Sequence, residues 1–182
     1  MDLKFISTPH PIGNFVNVRF TGNLAYISGQ GPFDDNGKLI TGKVGKDLDI
    51  DQAYDAAKRV GISLLSVINN DIGFEKVNKI VKILGLVNCT ENFIQQPQVI
   101  NGCSDLFVEY FGEKGKHARS ALGVYVLPNN IPVEIELDDD KIDATYFLAN
   151  LSGNPAISLP LATHSNGLPI GLHLMADHFK EA

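Results

Sequence analysis

A single apolar stripe over residues 53–68 is the feature that most constrains how this chain can fold. Asp49 is suited to cap a helix in front of the stripe, and Gly73 is suited to end it. A helix with one apolar side needs a surface that covers that side, so other segments must supply one. The stripe recurs at helical spacing and consists of Ala53, Ala56, Ala57, Val60, Leu64, Leu65 and Ile68.

The segments around this helix are mostly predicted strands. The turn residues Gly22 and Asn23 predict a hairpin between the first two strands. Pro97 suits the first turn of a second helix that runs to about Phe111. The resulting order, β-β-α-β-α-β-β, predicts an α+β fold with two helices packed on one face of a sheet. The predicted strands cover residues 15–20, 24–28, 77–87, 118–126 and 131–137, of which 77–87 is expected to be central.

Charge and cysteine content exclude several classes of protein. The 182 residues hold 15 Lys and Arg against 21 Asp and Glu, a net charge of −6, which argues against broad binding to nucleic acid or to an anionic membrane. Cys89 and Cys103 are too few for a disulfide scaffold and have no metal-binding spacing, so we interpret them as reduced structural thiols. Without a signal-peptide pattern or an apolar run of ~20 residues, a cytoplasmic protein is expected.

The composition changes at the acidic run Asp138–Asp140. We therefore predict two parts, a main domain over 1–138 and an extension over 139–182. Within the extension, residues 156–159 and 169–175 are predicted strands around an Asn-Gly turn. A hairpin of this size is marginal by itself.

Three segments of the main domain carry residues suited to chemistry. Ser28 and Gly29 end a predicted strand, where a glycine lets the backbone approach a ligand closely. Arg119 begins a strand that is expected to be internal, and a guanidinium can hold a carboxylate through two parallel hydrogen bonds. Glu134 and Glu136 share one strand face by alternation, and a carboxylate there could activate water.

Each of these residues also has a purely structural interpretation. Arg119 could form a surface ion pair, which is the commoner role of a single arginine. Glu134 and Glu136 could be the solvated side of an edge strand, and Gly29 could be a turn residue. Taken one by one, the residues favour the structural interpretation.

Taken together and in order, these segments resemble the RidA (YjgF-like) family of reactive-intermediate deaminases over about residues 11–137. Two further segments are similar to a longer-looped branch of that family, Gly42-Lys43-Val44-Gly45 and Val99-Ile100-Asn101-Gly102. The main motifs are Gly22-Asn23, Ile27-Ser28-Gly29-Gln30, Ala118-Arg119-Ser120, Leu127-Pro128 and Val133-Glu134-Ile135-Glu136.

The resemblance implies a chorismate-mutase-like fold and a homotrimer with sites in the clefts between subunits. It implies hydrolysis of small enamines and imines, such as 2-aminoacrylate, to 2-keto acids and ammonia, with neither a metal nor an organic cofactor. Arg119 matches the arginine that grips the substrate carboxylate, and Glu134 matches the glutamate that positions or activates water.

Five further residues are expected to line the cleft on the same resemblance. Ser28, Gly29 and Asn101 match family positions, whereas Phe15 stands where many active members have Tyr and Ala121 stands where many have Cys. These two departures favour an alternative, in which the same trimer binds small carboxylates or a protein partner without turnover.

The extension is similar to a different family over residues 144–182, the C-terminal stretch of amidase-signature enzymes. The segments 148–160 and 165–172 carry this resemblance. The Ser-Ser-Lys machinery of that family lies upstream, in a Gly- and Ser-rich region that this sequence does not contain. We therefore assign Ser152 and Ser158 no nucleophilic role, interpret the extension as a remnant without catalytic residues, and rank an amidase-related hydrolase third.

Overall fold

The computed structural model describes residues 5–6, 11–21, 23–137, 156–163 and 169–175. The chain divides into two units, Met1–Asp140 and Lys141–Ala182. The predicted boundary at Asp138–Asp140 lies outside the described residues, as does Gly22 of the predicted turn.

Five strands of the first unit form one mixed sheet in the order β1-β2-β5-β3-β4. Neighbouring strands are antiparallel except β3 and β4, which are parallel. The last strand of the first unit therefore lies in the middle of the sheet. The strands are β1 (Val18–Thr21), β2 (Leu24–Gln30), β3 (Lys82–Asn88), β4 (Ala118–Val124) and β5 (Val133–Leu137).

The strand order and the strand bounds correct three expectations from the sequence. The strand that carries Arg119, β4, is an edge strand and not an internal one. The strand that carries Glu134, β5, is central, although its polar face suggested an edge. Alternation reports which residues share a face, but the position of a strand in a sheet depends on contacts far away in sequence. The central strand predicted from Val77 begins only at Lys82.

The first helix, α1 (Ile50–Val67), begins where the sequence predicts. The Asp49 side chain accepts a hydrogen bond from the backbone N–H of Gln52 at 2.8 Å, and the Gln52 side chain accepts one from the N–H of Asp49 at 3.0 Å. This reciprocal cap satisfies two backbone donors that would otherwise lack partners. A wide turn, Ile68–Ile72, extends the helix to Gly73, whose φ is 96°.

The second helix, α2 (Gln96–Phe111), has Pro97 in its first turn, as predicted. The two helices pack against each other very closely at Gly102, where a Cβ atom would overlap the carbonyl oxygen of Tyr54 on α1. Both helices lie on the same face of the sheet, and this confirms the predicted α+β architecture. Leu64, Phe107, Ile83 and Ile135 are fully buried between the layers.

The two strands of the second unit form an antiparallel pair, β6 (Ala156–Thr163) and β7 (Pro169–Met175). The first is four residues longer than predicted, and the predicted Asn166-Gly167 turn lies outside the described residues. Across the described parts of both units, no helix is long and apolar enough to span a membrane.

Candidate active site

Arg119 lies on the helix-covered face of the edge strand β4, in register with the buried residue Ile83. Its Nη1 donates hydrogen bonds to Oδ1 of Asn101 at 2.8 Å and to Oγ of Ser104 at 3.0 Å. Both acceptors are on α2, three residues apart, and so project from the same side of that helix. The helix therefore holds one amino group of an arginine that remains exposed.

The remaining edge of the guanidinium is available to a ligand. Within the described residues, every hydrogen bond of Arg119 is made through Nη1. Nε and Nη2 form the side-on edge of the guanidinium, and two parallel N–H groups there match the two oxygens of a carboxylate. The arrangement favours a planar anion that approaches this edge.

Glu134 lies on the opposite face of the sheet from Arg119. It is in register with Leu86 on β3, and Leu86 is in register with Leu122 on β4. Arg119 precedes Leu122 by three positions, and an odd separation along a strand places two side chains on opposite faces. A single copy of the chain therefore does not bring the two predicted catalytic residues together.

The Glu134 carboxyl group is half-buried, and burial raises its pKa above the ordinary value. No hydrogen bond or ion pair joins its side chain to another of the described residues. Strand β2 bulges beside it, because two residues, Ser28 and Gly29, lie opposite one residue of β5. A Cβ atom at Gly29 would overlap Oε1 of Glu134, so the glycine makes room for this carboxylate.

Ser28 ties the segment before β1 to this bulge. Its Oγ donates a hydrogen bond to the carbonyl oxygen of Val16 at 2.8 Å. The neighbouring side chain, Phe15, is 51% exposed. A shallow cavity of about 240 Å³ lies beside the bulge and is lined by Val16, Arg19, Tyr26, Ser28, Gly29 and Glu136, among others.

The predicted site residues thus form two groups. Asn101 and Arg119 are in direct contact, and Ala121 shares the face of Arg119 and packs against the core. Ser28 and Gly29 accompany Glu134 on the other face. No cluster of three or more metal-ligating side chains occurs among the described residues.

Sequence reasoning missed two residues beside Arg119. Ser104 contacts the guanidinium directly, and His117 contacts Ser104 with Nε2 at 3.1 Å from its Oγ. The spacing of Asn101 and Ser104 on a predicted helix could have indicated Ser104, since positions three apart share a helix side. His117 carries no such signal, because its contact depends on how β4 packs against α2.

The first unit is thus an α+β sheet with two helices on one face, an exposed arginine held from α2 on that face and a half-buried glutamate on the other. A family model described as "YjgF/chorismate_mutase-like, putative endoribonuclease" matches residues 2–137. The chain belongs to this family, and the resemblance seen in the sequence is confirmed.

Known relatives support this assignment. Protein TCP17 of Trypanosoma cruzi is 33% identical over 138 residues, which cover 75% of this chain and 86% of that protein. Protein Atu1372 of Agrobacterium tumefaciens, described as of unknown function, is 39% identical, with a TM-score of 0.66 over 69% of this chain and 82% of that one.

Two further solved structures share the fold. A protein from Shewanella oneidensis MR-1, described as a putative endoribonuclease, is 26% identical with a TM-score of 0.71, over 74% of this chain and 89% of that one. RidA from the Antarctic bacterium Psychrobacter sp. PAMC 21119 is 27% identical with a TM-score of 0.50, over 71% of this chain and 90% of that one.

A second kind of relative matches only a short stretch of this chain. A glutamyl-tRNA(Gln) amidotransferase subunit from Thiobacillus denitrificans is 50% identical over 52 residues, which cover 28% of this chain and only 10% of that protein. Such a short match gives the amidase resemblance weak support, and the role of the extension stays a prediction.

Proposed function

We propose that this protein hydrolyses small enamines and imines that carry a carboxylate, such as 2-aminoacrylate, to 2-keto acids and ammonia. The observation that carries the proposal is Arg119, an exposed guanidinium held at Nη1 by Asn101 and Ser104, with its Nε–Nη2 edge available. Membership of the YjgF/RidA-like family supports the same reaction class.

In this reaction the protein mainly has to position the substrate and one water molecule. An enamine such as 2-aminoacrylate first tautomerises to its imine, as the β-carbon gains a proton and the nitrogen loses one. The imine carbon is electrophilic, so water can add to it once the substrate carboxylate is fixed on Arg119. Glu134 takes a proton from the attacking water and returns one to the nitrogen, which leaves as ammonia while the carbinolamine becomes a 2-keto acid. The raised pKa of Glu134 suits this exchange, because a carboxyl closer to the working pH both accepts and donates protons more readily.

The opposite placement of Arg119 and Glu134 supports a site built by two subunits. In the proposed homotrimer, Arg119 of one subunit faces Glu134 of the next across a cleft. Each cleft would be partly desolvated, which strengthens the contact between the guanidinium and a carboxylate. The mechanism uses neither a metal nor an organic cofactor.

The direct test is release of 2-keto acid from 2-aminoacrylate generated in the assay by a serine dehydratase. We expect the protein to accelerate this release above the spontaneous rate. Arg119→Ala should lower kcat/KM roughly 10- to 100-fold, because a charged hydrogen-bonding partner of the carboxylate is lost. Arg59→Lys is the matched control, since Arg59 pairs with Asp35 instead of the site, and it should keep full activity.

A wild-type rate equal to the spontaneous rate, in a sample that elutes as a trimer, would overturn the proposal. Phe15 and Ala121 favour a second candidate in that event, a trimer that binds 2-keto acids without turnover. Such a protein would gain thermal stability from 2-oxobutanoate and still release no product. Ribonuclease activity is disfavoured by the net charge of −6, which repels the phosphates of RNA.

A further inference from the structure

Three side chains form a hydrogen-bonded chain that ends on the guanidinium of Arg119. His117 Nδ1 lies 2.7 Å from the carbonyl oxygen of Gly115, and His117 Nε2 lies 3.1 Å from Oγ of Ser104. Ser104 Oγ in turn lies 3.0 Å from Nη1 of Arg119. Each link is short enough to be a true hydrogen bond.

The chemistry of the groups fixes the direction of each bond. A carbonyl oxygen only accepts, so Nδ1 of His117 carries the proton that it donates to Gly115. Burial lowers the pKa of His117, which keeps the ring neutral and leaves a lone pair on Nε2. Ser104 must therefore donate its hydroxyl proton to Nε2. Its oxygen lone pairs are then directed to Arg119, which can only donate.

We infer that His117 and Ser104 are positioning residues that hold Arg119 in the orientation which presents its Nε–Nη2 edge to a carboxylate ligand. Asn101 alone would leave one N–H of Nη1 without an acceptor. The second acceptor, Ser104 Oγ, blocks rotation of Nη1 away from α2. The inference rests on the proposed function only for the identity of the ligand, since the hydrogen bonds to Arg119 are present without a ligand.

The same chain of hydrogen bonds predicts a dependence on pH. Protonation of His117 would turn Nε2 into a donor, so Ser104 Oγ would face two N–H groups, and a second positive charge would lie near Arg119. From β4, Arg119 is the charged group that acts on His117, and its charge lowers the pKa of the ring. From α2, the neighbours are Ser104 and Phe107, whose ring meets the imidazole edge-on at 5.9 Å. Gly115 contributes its carbonyl oxygen.

The first test measures Arg119 itself and needs no ligand. The order parameter of the Arg119 Nε–H group, from ¹⁵N relaxation, should be high in the wild type. It should fall in Ser104→Ala, which removes the second acceptor of Nη1. It should also fall in His117→Phe, which removes the acceptor that orients the Ser104 hydroxyl group. His117→Gln is the matched variant, since its amide oxygen can accept from Ser104 without titrating, and it should keep the wild-type value.

The second test measures binding of 2-oxobutanoate by calorimetry. Ser104→Ala and His117→Phe should raise Kd about 3- to 10-fold, the usual effect of one hydrogen bond. Burial lowers the pKa of His117, so in the wild type Kd should stay constant down to the ordinary imidazole value of about 6.5 and rise only at lower pH. His117→Gln should show a flat profile over the same range.

The outcomes separate this inference from the proposed function. An Arg119 order parameter unchanged in both Ser104→Ala and His117→Phe would overturn the positioning role, whatever the protein binds. A lowered order parameter together with no binding of 2-oxobutanoate by the wild type would uphold the positioning role and count against the proposed function. A pH profile that is the same in the wild type and His117→Gln would overturn the protonation argument.

Discussion

At the scale of single residues, the two predicted catalytic side chains differ in how they are supported. Arg119 is held by two acceptors on α2 and remains exposed. Glu134 is half-buried over Gly29, and burial raises its pKa. Arg119 is therefore supported by two hydrogen bonds, whereas the ionised form of Glu134 is disfavoured by burial, which is common for groups that exchange protons.

Because burial disfavours the ionised carboxylate of Glu134, we predict that Glu134→Gln stabilises the protein at pH 7. A raised pKa in the folded state means that the folded protein holds the proton more tightly than the unfolded chain. The contribution of Glu134 to the stability of the wild type should be fully present below the ordinary carboxyl value of about 4.3 and should be lost as pH rises through the raised folded value. Glutamine avoids this loss, so at pH 7 the variant should melt about 1–3 °C higher.

Thermal unfolding at pH 7 and at pH 4 checks this prediction. The difference in melting temperature between Glu134→Gln and the wild type should become smaller towards pH 4, where the wild-type carboxyl group is protonated. Glu91→Gln, in an exposed loop, is the control and should leave the melting temperature unchanged at both pH values. A variant that melts lower than the wild type at pH 7 would show that Glu134 has a stabilising partner in the assembled protein.

At the scale of secondary-structure elements, the contact between the helices sets the geometry of the arginine site. Asn101 and Ser104 hold Arg119 from α2, and α2 is placed against α1 by the close approach at Gly102. The apolar stripe of α1 covers the sheet, as its sequence predicts. The position of α2 depends on one small residue as much as on its own apolar face.

Gly102→Ala tests this contact. The added methyl group would overlap the backbone of α1 at Tyr54, which cannot move aside as a side chain can, so we expect a loss of about 1–3 kcal/mol of unfolding free energy in urea. Gly61→Ala is the matched control on α1. Its added methyl meets the end of the Leu106 side chain at 2.8 Å, which can shift, and alanine favours the helix. Equal losses in the two variants would contradict the proposed role of the backbone contact.

At the scale of the whole molecule, the sheet order separates Arg119 from Glu134. Strand β4 is at the edge and β5 is in the middle, and their two side chains lie on opposite faces. Any site that uses both residues must therefore combine two copies of the chain. This is the physical argument for sites between subunits.

Mixing two inactive variants tests the arrangement. In the proposed homotrimer, random assembly of Arg119→Ala and Glu134→Gln places both variants in three trimers out of four, and each such trimer would have one intact cleft in three. We expect a 1:1 mixture, unfolded and refolded together, to recover about a quarter of the wild-type deaminase rate. The same variants refolded separately and then combined serve as the control, and recovery absent from both samples would exclude a shared site.

The sequence by itself determined the elements, their faces and the family. The stripe of α1, the cap at Asp49, Pro97 in α2 and the alternation of Val133–Leu137 are local patterns, and each follows from short-range backbone and side-chain chemistry. Motif order also led to the prediction of Arg119, Asn101 and Glu134 as site residues, and that prediction awaits the experiments above.

Only the tertiary structure decided which strands lie at the edge and which side chains meet. The sheet order placed β5 between β2 and β3, and no local pattern encodes a pairing between segments so distant along the chain. The contact from His117 through Ser104 to Arg119 likewise joins a helix to a strand across a packed interface. Such contacts arise from long-range packing, which a single sequence specifies only through the whole fold.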